Sequence, residues 1–269
     1  MQDEMCTIIV LHDVHPDRAL IVGANRDEFR RRPTRPPGPI EDAGGAALAG
    51  RDERSGGTWM GAHRTGFFVG ITNQRSHLPP DPSLRSRGLL ALDALRIGDH
   101  DAVRDWLRSD RVDPRATNDF NLIFGEPGKV SVAYGRREDP TTPLEIRSLP
   151  PGVHVLANDR LGSPEFPRAG RAEALVRDAL STPWPALSEQ LEAVLGDTWK
   201  PPRDAIPEPP PGSRFDRELL RELQALCILL PEYGTVSATI LAADRRRGLT
   251  DYRYADGPPC RTPFVPVTT

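Results

Sequence analysis

Apolar and β-branched residues are concentrated in short runs near the start of the chain. Residues 6–11 and 19–24 form two such runs, separated by a His-Pro-Asp turn signal. Runs of this length and composition are typical of strands, so the pattern predicts an opening hairpin. Residues 56–61 and 66–73 add two strands joined by a polar turn, which makes the predicted pairing antiparallel.

The rest of the chain alternates irregularly between helical and strand patterns. Apolar spacing of about 3.6 residues predicts helices over residues 86–98, 101–108, 167–180 and 217–229. Short β-rich runs predict strands over residues 120–124, 130–134, 153–157, 235–242 and 250–254, the last two as a hairpin. A doubly wound parallel sheet would need regular alternation. The order therefore favours two antiparallel sheets packed together with helices outside.

Two proline-rich segments interrupt these patterns. Residues 30–45 have no apolar period, and we expect a surface loop or a flap over a site there. Residues 201–212 predict an extended excursion before the last helix.

Length and charge narrow the class of protein. A chain of 269 residues with 38% hydrophobic content can bury a substantial core, so we expect one compact domain over residues 1–269. The net charge of -3 comes from 35 basic and 38 acidic residues mixed along the chain, which makes nucleic acid and membrane surfaces poor partners. No apolar stretch approaches the roughly 20 residues of a membrane helix, and no signal peptide is evident, so we expect a cytoplasmic protein.

Cysteine is the residue type with the clearest chemical potential. Cys6, Cys227 and Cys260 are too few and too scattered for a disulfide framework, and none has metal-ligand spacing. We expect Cys227 in the core and an incidental role for Cys260 in its proline-rich tail. Cys6 begins the first strand, where a lone cysteine is more often simply buried than reactive.

The position of Cys6 in the chain favours a reactive role over simple burial. It follows Met5, a plausible start, and residues 1–5 are interpreted as a leader that is removed or precedes the true start. Cys6 would then carry a free α-amine, with a pKa of about 7.7 to 8.0, beside its own thiol. A thiolate activated by a neighbouring amine is an established nucleophile.

Polar residues follow the predicted strands at places where they could meet Cys6. Residues 25–28 read Asn-Arg-Asp-Glu directly after the second strand, although a solvated turn with salt bridges would look the same. Asn73 and Asn158 each end an apolar strand. Side-chain amides at such positions can stabilise an oxyanion, although for either asparagine alone the capping of a turn is the more common role.

These residues together resemble the NRDE family, which includes the Transport and Golgi organisation protein 2 group. The resemblance rests on six ordered blocks: Met5-Cys-Thr-Ile-Ile-Val, Gly23-Ala-Asn-Arg-Asp-Glu-Phe29, Gly56-Gly-Thr-Trp-Met-Gly61, Gly70-Ile-Thr-Asn73, Val155-Leu-Ala-Asn158 and Tyr233-Gly-Thr235. The family is distantly similar to choloylglycine hydrolases and penicillin V acylases, which are N-terminal-nucleophile (Ntn) hydrolases. The resemblance implies an α+β fold, a four-layer αββα sandwich of two antiparallel sheets flanked by helices.

The resemblance also implies roles for individual residues. Cys6 matches the N-terminal nucleophile, and Asp27 matches the aspartate that holds the cysteine amine. Asn73 falls on the block that supplies an oxyanion donor, and Asn158 on the block that supplies a second asparagine nearby. Residues expected to bind substrate or to support the site are Asn25, Arg26, Glu28 and Trp59.

The sequence departs from the amidases at their arginines. The arginine that those enzymes carry two residues before the asparagine of the NRDE motif is missing, since Gly23 and Ala24 stand there. Arg26 could supply a guanidinium nearby. Val236 occupies a position where NRDE proteins commonly have arginine, so we expect substrate orientation to differ.

Two functions from different classes follow from these residues. The first is a cofactor-free hydrolase or acyltransferase that cleaves an amide or related acyl bond through an acyl-enzyme on Cys6. The second, which the resemblance implies, is a non-catalytic carrier of haem or of lipid and acyl-CoA. Candidate axial ligands for haem are His12, His15, His63, His77, His100 and His154. A metal-dependent hydrolase is disfavoured because no His-Glu-x-x-His motif is present.

Overall fold

The computed structural model describes residues 6–41, 45–76, 78–109, 111–113, 116–137, 144–209 and 215–268. The expected leader, residues 1–5, and His77 lie outside these ranges. The strands are β1 Thr7–His12, β2 Leu20–Phe29, β3 Thr34–Pro39, β4 Ala47–Asp52, β5 Met60–His63, β6 Phe68–Asn73, β7 Phe120–Glu126, β8 Lys129–Gly135, β9 Glu145–Leu149, β10 Gly152–Leu156, β11 Tyr233–Asp244, β12 Gly248–Ala255 and β13 Val265–Pro266. The helices are α1 Arg87–Ile97, α2 His100–Arg108, α3 Pro167–Ala179, α4 Ala186–Leu195 and α5 Arg217–Glu222.

The strands form two antiparallel sheets. The first sheet has the order β10-β1-β2-β11-β12-β13, and the second has the order β3-β4-β5-β6-β7-β8-β9. In the first sheet, β1 therefore lies between β2 and β10. The second sheet has its strands in sequence order, and the connection between β6 and β7 contains α1 and α2.

The alternation of side chains along β1 explains how the layers pack. Ile8 and Val10 join the core between the two sheets, whereas Ile9 and Leu11 face the helices α3 and α4. Gly70 in β6 lets the sheets approach, since a Cβ atom there would lie 2.7 Å from Ile8 Cδ1. Full burial of each such aliphatic side chain contributes about 1.5–3 kcal/mol.

Helices cover the outer faces of both sheets. α1 and α2 pack on the second sheet through a core that includes Leu92 and Val103, and α3 and α4 pack on the first sheet through Val176 and Leu191. α1 starts at a Ser86 cap that accepts from Gly88 N, and it ends at Gly98 in the left-handed conformation. The predicted four-layer αββα sandwich is confirmed.

Several segments differ from the sequence-based expectation. The proline-rich segment 30–45 contains an edge strand, β3, which pairs with β4 with a shift in register between Arg35 and Gly38. Proline is tolerated there because an edge strand need not donate to a neighbour on both sides. The predicted helix 217–229 ends at Glu222, since residues 226–229 run instead toward β11, where Leu229 forms a bridge with Gly234. None of the helices in the described ranges has both the length and the hydropathy of a membrane span.

Candidate active site

Cys6 lies at the mouth of a cleft between the two sheets. It directly precedes β1 and is half-buried, and its position two residues before Ile8 places it on the inter-sheet side of the strand. The cleft has a volume of about 350 Å³, and residues from both sheets line it, among them Cys6, Arg26, Trp59 and Asn73. The nucleophile predicted from sequence is therefore reachable from solvent.

Asp27 lies beneath Cys6 in the interior. Its carboxyl group is buried, and the hydroxyl of Thr235 donates a hydrogen bond of 2.5 Å to Oδ1. Thr235 is paired with Asp27 across β2 and β11, and the register of that pairing shifts between Thr235 and Ser237. Cys6 Sγ is 3.9 Å from the main-chain oxygen of Asp27. The half-buried Val236, where an arginine was expected from the family pattern, is the extra residue at this bulge.

The loop before β11 comes close to Thr235 because Gly234 has no side chain. A Cβ atom at Gly234 would lie 2.3 Å from Ile228 O, and the residue has a φ of +153°. With this approach, Ile228 N donates to Thr235 Oγ1 at 2.9 Å. The hydroxyl of Thr235 is thereby oriented to donate to Asp27.

Arg168, in the first turn of α3, connects three of the predicted site residues. Its guanidinium is fully buried, with Nη1 3.5 Å from Asp27 Oδ2. Nη2 donates to Asn158 Oδ1 at 2.9 Å and to the main-chain oxygen of Cys6 at 3.4 Å. Sequence reasoning missed this residue and offered Arg26 as the source of a guanidinium. The available signal was its position on the buried face of α3, four residues before Ala172 and eight before Val176.

Burial controls the electrostatics of the Asp27–Arg168 pair. Desolvation raises the pKa of Asp27 to about 7, against the lowering effects of Arg168, of the Thr235 hydroxyl and of Arg26. Burial likewise lowers the pKa of Arg168, an effect that Asp27 opposes. Within the described residues, Asp27 Oδ2 accepts no hydrogen bond. The carboxylate keeps the capacity to accept one more donor at this buried oxygen.

The two predicted asparagines meet across the gap between the sheets. Asn158 follows β10, and its Nδ2 donates to the main-chain oxygen of Asn73 at 3.1 Å. Thr72 Oγ1 donates to Ala157 O at 2.8 Å and reinforces the same junction. Asn73 is half-buried at the end of β6 and lines the cleft beside Cys6. Cys6, Asp27, Asn73 and Asn158 are thus connected through Arg168 and Asn158.

The residues of the Asn-Arg-Asp-Glu motif separate to the two faces of β2. Asn25 does not line the cleft, because its buried Nδ2 donates to Leu195 O and Leu226 O, both at 2.8 Å. Arg26 lies in the cleft wall, with its guanidinium 4.3 Å from the ring centroid of Trp59. Glu28 pairs with Arg26 and contacts Phe29 N. The guanidinium beside Asp27 and Asn158 is therefore that of Arg168, and Arg26 belongs to the wall.

A second, larger cleft adjoins the first. It has a volume of about 590 Å³ and shares Asn73, Arg87 and Asn118 with the cleft that contains Cys6. Part of its lining is apolar, from Leu78, Phe166, Ile206, Leu220 and Leu223, and part is cationic, from Arg75 and Arg137. Asn73 therefore stands where a polar and a partly apolar space meet.

The described histidines lie away from both clefts. Each of the five has a ring nitrogen within hydrogen-bonding distance of a protein atom, and none is among the residues that line either cleft: His12 contacts Pro150, His15 contacts Thr182, His63 contacts Thr65, His100 contacts Ser131 and His154 contacts Pro150. His77 is outside the described residues. No group of three or more His, Cys, Asp and Glu side chains placed to hold a metal ion occurs in the described part of the chain.

Comparison with known proteins finds relatives by sequence and by fold. The sequence model of the family described as Transport and Golgi organisation 2 matches residues 5–252. The bovine Transport and Golgi organization protein 2 homolog is 32% identical over 258 residues, which cover 89% of each chain. Penicillin V acylase from Agrobacterium tumefaciens superposes with a TM-score of 0.55 at 13% identity, covering 93% of this chain and 83% of that one. An N-acylethanolamine-hydrolyzing acid amidase ortholog from Caenorhabditis elegans gives 0.52 at 11% identity, covering 88% and 92%.

Proposed function

The chain belongs to the Transport and Golgi organisation 2 family and has the fold of the Ntn hydrolases, and from this premise we propose that it is a cysteine hydrolase or acyltransferase. It acts on an amide or related acyl bond through an acyl-enzyme on Cys6. The observation that carries the proposal is the buried Oδ2 of Asp27. This oxygen accepts no hydrogen bond among the described residues, and it lies beside the guanidinium of Arg168, which also contacts Cys6 O.

A free amine on Cys6 would complete this network. Cys6 Sγ lies against the main chain of Asp27, and Arg168 contacts both residues. An ammonium on Cys6 would therefore lie near the Asp27 carboxylate. The added positive charge lowers the pKa of Asp27 and fixes the orientation of the amine. The buried carboxylate and the N-terminal nucleophile then stabilise each other.

The reaction follows from these positions. The neutral amine takes the thiol proton of Cys6, and the thiolate attacks the acyl carbon to form a C–S bond. Asn73 and main-chain N–H groups hold the oxyanion, and removal of one such donor typically costs about 2.7–4 kcal/mol of transition-state stabilisation. The ammonium returns the proton to the leaving amine as the C–N bond breaks. Water or an acceptor then attacks the thioester, and the amine serves again as base.

The two clefts suggest where the two parts of a substrate bind. The cleft beside Cys6 is lined by many charged groups, including Arg26, Glu28 and Arg54, and suits a polar leaving group. The larger cleft beyond Asn73 offers Leu78, Phe166 and Ile206 to an apolar acyl chain. The scissile carbonyl lies between them, at Asn73.

Carriage of an acyl ligand without cleavage is the second candidate. It is favoured by the same large, partly apolar cleft, and the names of the sequence relatives refer to transport. Ligand carriage uses the cleft and does not use the amine of Cys6.

The decisive experiment exposes Cys6 as the first residue with a site-specific protease and compares this form with the chain that retains residues 1–5. Each form is incubated with N-acyl amides of increasing acyl length, and product formation and the intact mass of the protein are followed. We expect turnover and an acyl adduct on Cys6 only in the exposed form. Cys6→Ala should abolish both, and Cys6→Ser, which keeps the amine, should retain weak activity at most.

Binding without an adduct would overturn the proposal. If both forms bind a fluorescent fatty-acyl probe with equal Kd and neither forms the acyl-enzyme, the chain is a carrier. Loss of probe binding in a variant of the larger cleft, such as Leu223→Arg, would then locate the ligand in that cleft.

A further inference from the structure

The two remaining cysteines lie side by side, outside both clefts. The sulfur atoms of Cys227 and Cys260 are 3.0 Å apart, although the residues are 33 positions apart in sequence. The expectation that Cys227 is buried is met, whereas Cys260 is exposed directly above it. Unbonded sulfur atoms do not normally approach so closely, and a disulfide bond measures about 2.05 Å. Only a small movement separates the thiol pair from a covalent bond.

The segments that carry the two thiols are held by independent contacts. Cys227 N donates to Asp197 O at 2.9 Å, just after the end of α4. Gly196 packs against Cys260, since a Cβ atom there would lie 3.3 Å from both N and Cα of Cys260. Pro258 O accepts from Arg261 N and Thr262 N in a tight turn. The proximity of the sulfur atoms is therefore a property of packed backbone rather than of a loose tail.

We propose that Cys227 and Cys260 are a site of reversible disulfide formation that fastens the C-terminal segment, residues 256–268, to the loop before β11. The oxidant is a small-molecule disulfide such as oxidised glutathione. The thiolate of Cys260 attacks one of its sulfur atoms and releases one small thiolate. Cys227, after losing its proton to solvent, attacks Cys260 Sγ and releases the second. Two protein thiols are oxidised and one small disulfide is reduced to two thiols.

Exposure sets the order of these two steps. Cys260 is exposed, while Cys227 is buried with its sulfur atom against that of Cys260. Burial also raises the pKa of the Cys227 thiol, which disfavours its thiolate and leaves the first attack to the exposed Cys260. A disulfide with one exposed sulfur is accessible to reductants as well, which makes the bond reversible.

The cross-link acts on the residues that support the candidate site. Leu226 O accepts from the Asn25 side chain, and Ile228 N donates to Thr235, so Cys227 lies between two such contacts. A bond at Cys227 restrains both neighbours. The inference does not depend on catalysis, because it concerns a thiol pair distinct from Cys6.

The test uses the full chain carrying Cys6→Ala, so that the two cysteines in question are its only thiols. The protein is incubated with oxidised glutathione, alkylated, digested without reduction and mapped. We expect a peptide pair linked through Cys227 and Cys260 and a Tm higher by about 5–10 °C, which dithiothreitol reverses. Cys260→Ser at the exposed position should remove the linkage and the Tm shift without unfolding the protein.

Two results would overturn the inference. One is a lasting glutathione adduct on Cys260 with Cys227 still open to alkylation after denaturation. The other is a linkage that forms equally well when the protein is oxidised in denaturant as when it is oxidised folded, since the native packing would then contribute nothing.

Discussion

The two faces of β2 between Asn25 and Glu28 meet different surroundings. Asn25 and Asp27 lie on the helical face, where Asn25 contacts two main-chain carbonyls and Asp27, which also contributes to the lining of the cleft, contacts Thr235 and Arg168. Arg26 and Glu28 point into the cleft, where they contact Trp59 and each other. A strand alternates its side chains, so four consecutive residues build the buried support of Cys6 and the wall of the cleft at once.

The difference predicts that the two faces fail in different ways. On the helical side, charges and amides have been removed from water, and loss of one partner leaves the other unpaired. On the cleft side, Arg26 and Glu28 are also buried, but they form the wall of the cleft and contact Trp59, Arg32 and each other. Substitutions on the helical side should therefore reduce stability and misplace Cys6, while those on the cleft side should alter ligand binding in a folded protein.

Removal of Arg168 is expected to have the largest effect. Arg168→Met keeps much of the apolar volume and leaves Asp27 buried without its cation, which typically costs about 3–5 kcal/mol. We expect the free energy of unfolding, measured with urea, to fall by that amount. Cys6 should also react with an alkylating reagent less uniformly from one molecule to the next, because Arg168 contacts Cys6 O and Asn158.

Controls on the same helix and in the same pair separate this effect from general damage. Arg177→Met removes an exposed arginine of α3 and should change stability by about 0.5 kcal/mol or less. Adding Asp27→Asn to Arg168→Met should recover part of the loss, since no buried charge remains. Equal stability of the Arg168→Met and Arg177→Met proteins would show that the buried Arg168 does not support the helical face of β2.

The second prediction concerns pH and the carboxyl group of Asp27. Its folded pKa of about 7 lies above the ordinary value of 3.8, so between these values the folded chain binds more protons than the unfolded chain. The contribution of Asp27 to stability is therefore greatest below about pH 4, falls as the pH rises to about 7 and is constant above that. Asp27→Asn should flatten the dependence of the free energy of unfolding on pH across this window.

The comparison uses the slope of the free energy of unfolding against pH rather than its absolute value, because asparagine also alters the contact with Arg168. Asp105→Asn, at an exposed position of α2, controls for the loss of one charge. Exposure of the Cys6 amine should flatten the slope of the wild-type chain as well, since an ammonium lowers the pKa of Asp27. An Asp27→Asn protein with the wild-type slope would show that Asp27 does not titrate in this window.

Many of the strands and the Asn-Arg-Asp-Glu motif could be predicted from the sequence, but the contacts between distant segments could not. Apolar, β-branched runs predicted β1 and β2, the order of the elements favoured two antiparallel sheets with helices outside, and the resemblance implied the four-layer sandwich. The motif was interpreted as a group at the end of a strand, whereas β2 continues to Phe29 and separates its members to two faces. Arg168 and the Cys227–Cys260 pair depend on packing between segments far apart in sequence, which no local pattern encodes.

The edge elements were missed for a different reason. β3 is rich in proline and β9 is largely exposed, so neither shows the apolar alternation on which strand prediction depends. β3 lies at one edge of its sheet and β9 at the other. An edge strand forms by pairing with its one neighbouring strand, so the residues that determine it lie in the neighbour rather than in its own sequence.

The smallest effect is expected on the cleft side, from Arg26→Lys. Lysine keeps the charge but loses the flat guanidinium that stacks on Trp59, a contact typically worth about 0.5–2 kcal/mol. We expect KM to rise about 3–10-fold with kcat within about twofold, and the free energy of unfolding to fall by no more than about 2 kcal/mol. Arg54→Lys is the matched control, because Arg54 lines the same cleft and makes no ring contact within the described residues. If Arg26→Lys instead lowered kcat and stability as severely as Arg168→Met, the two faces of β2 would form one cooperative unit rather than a support and a wall.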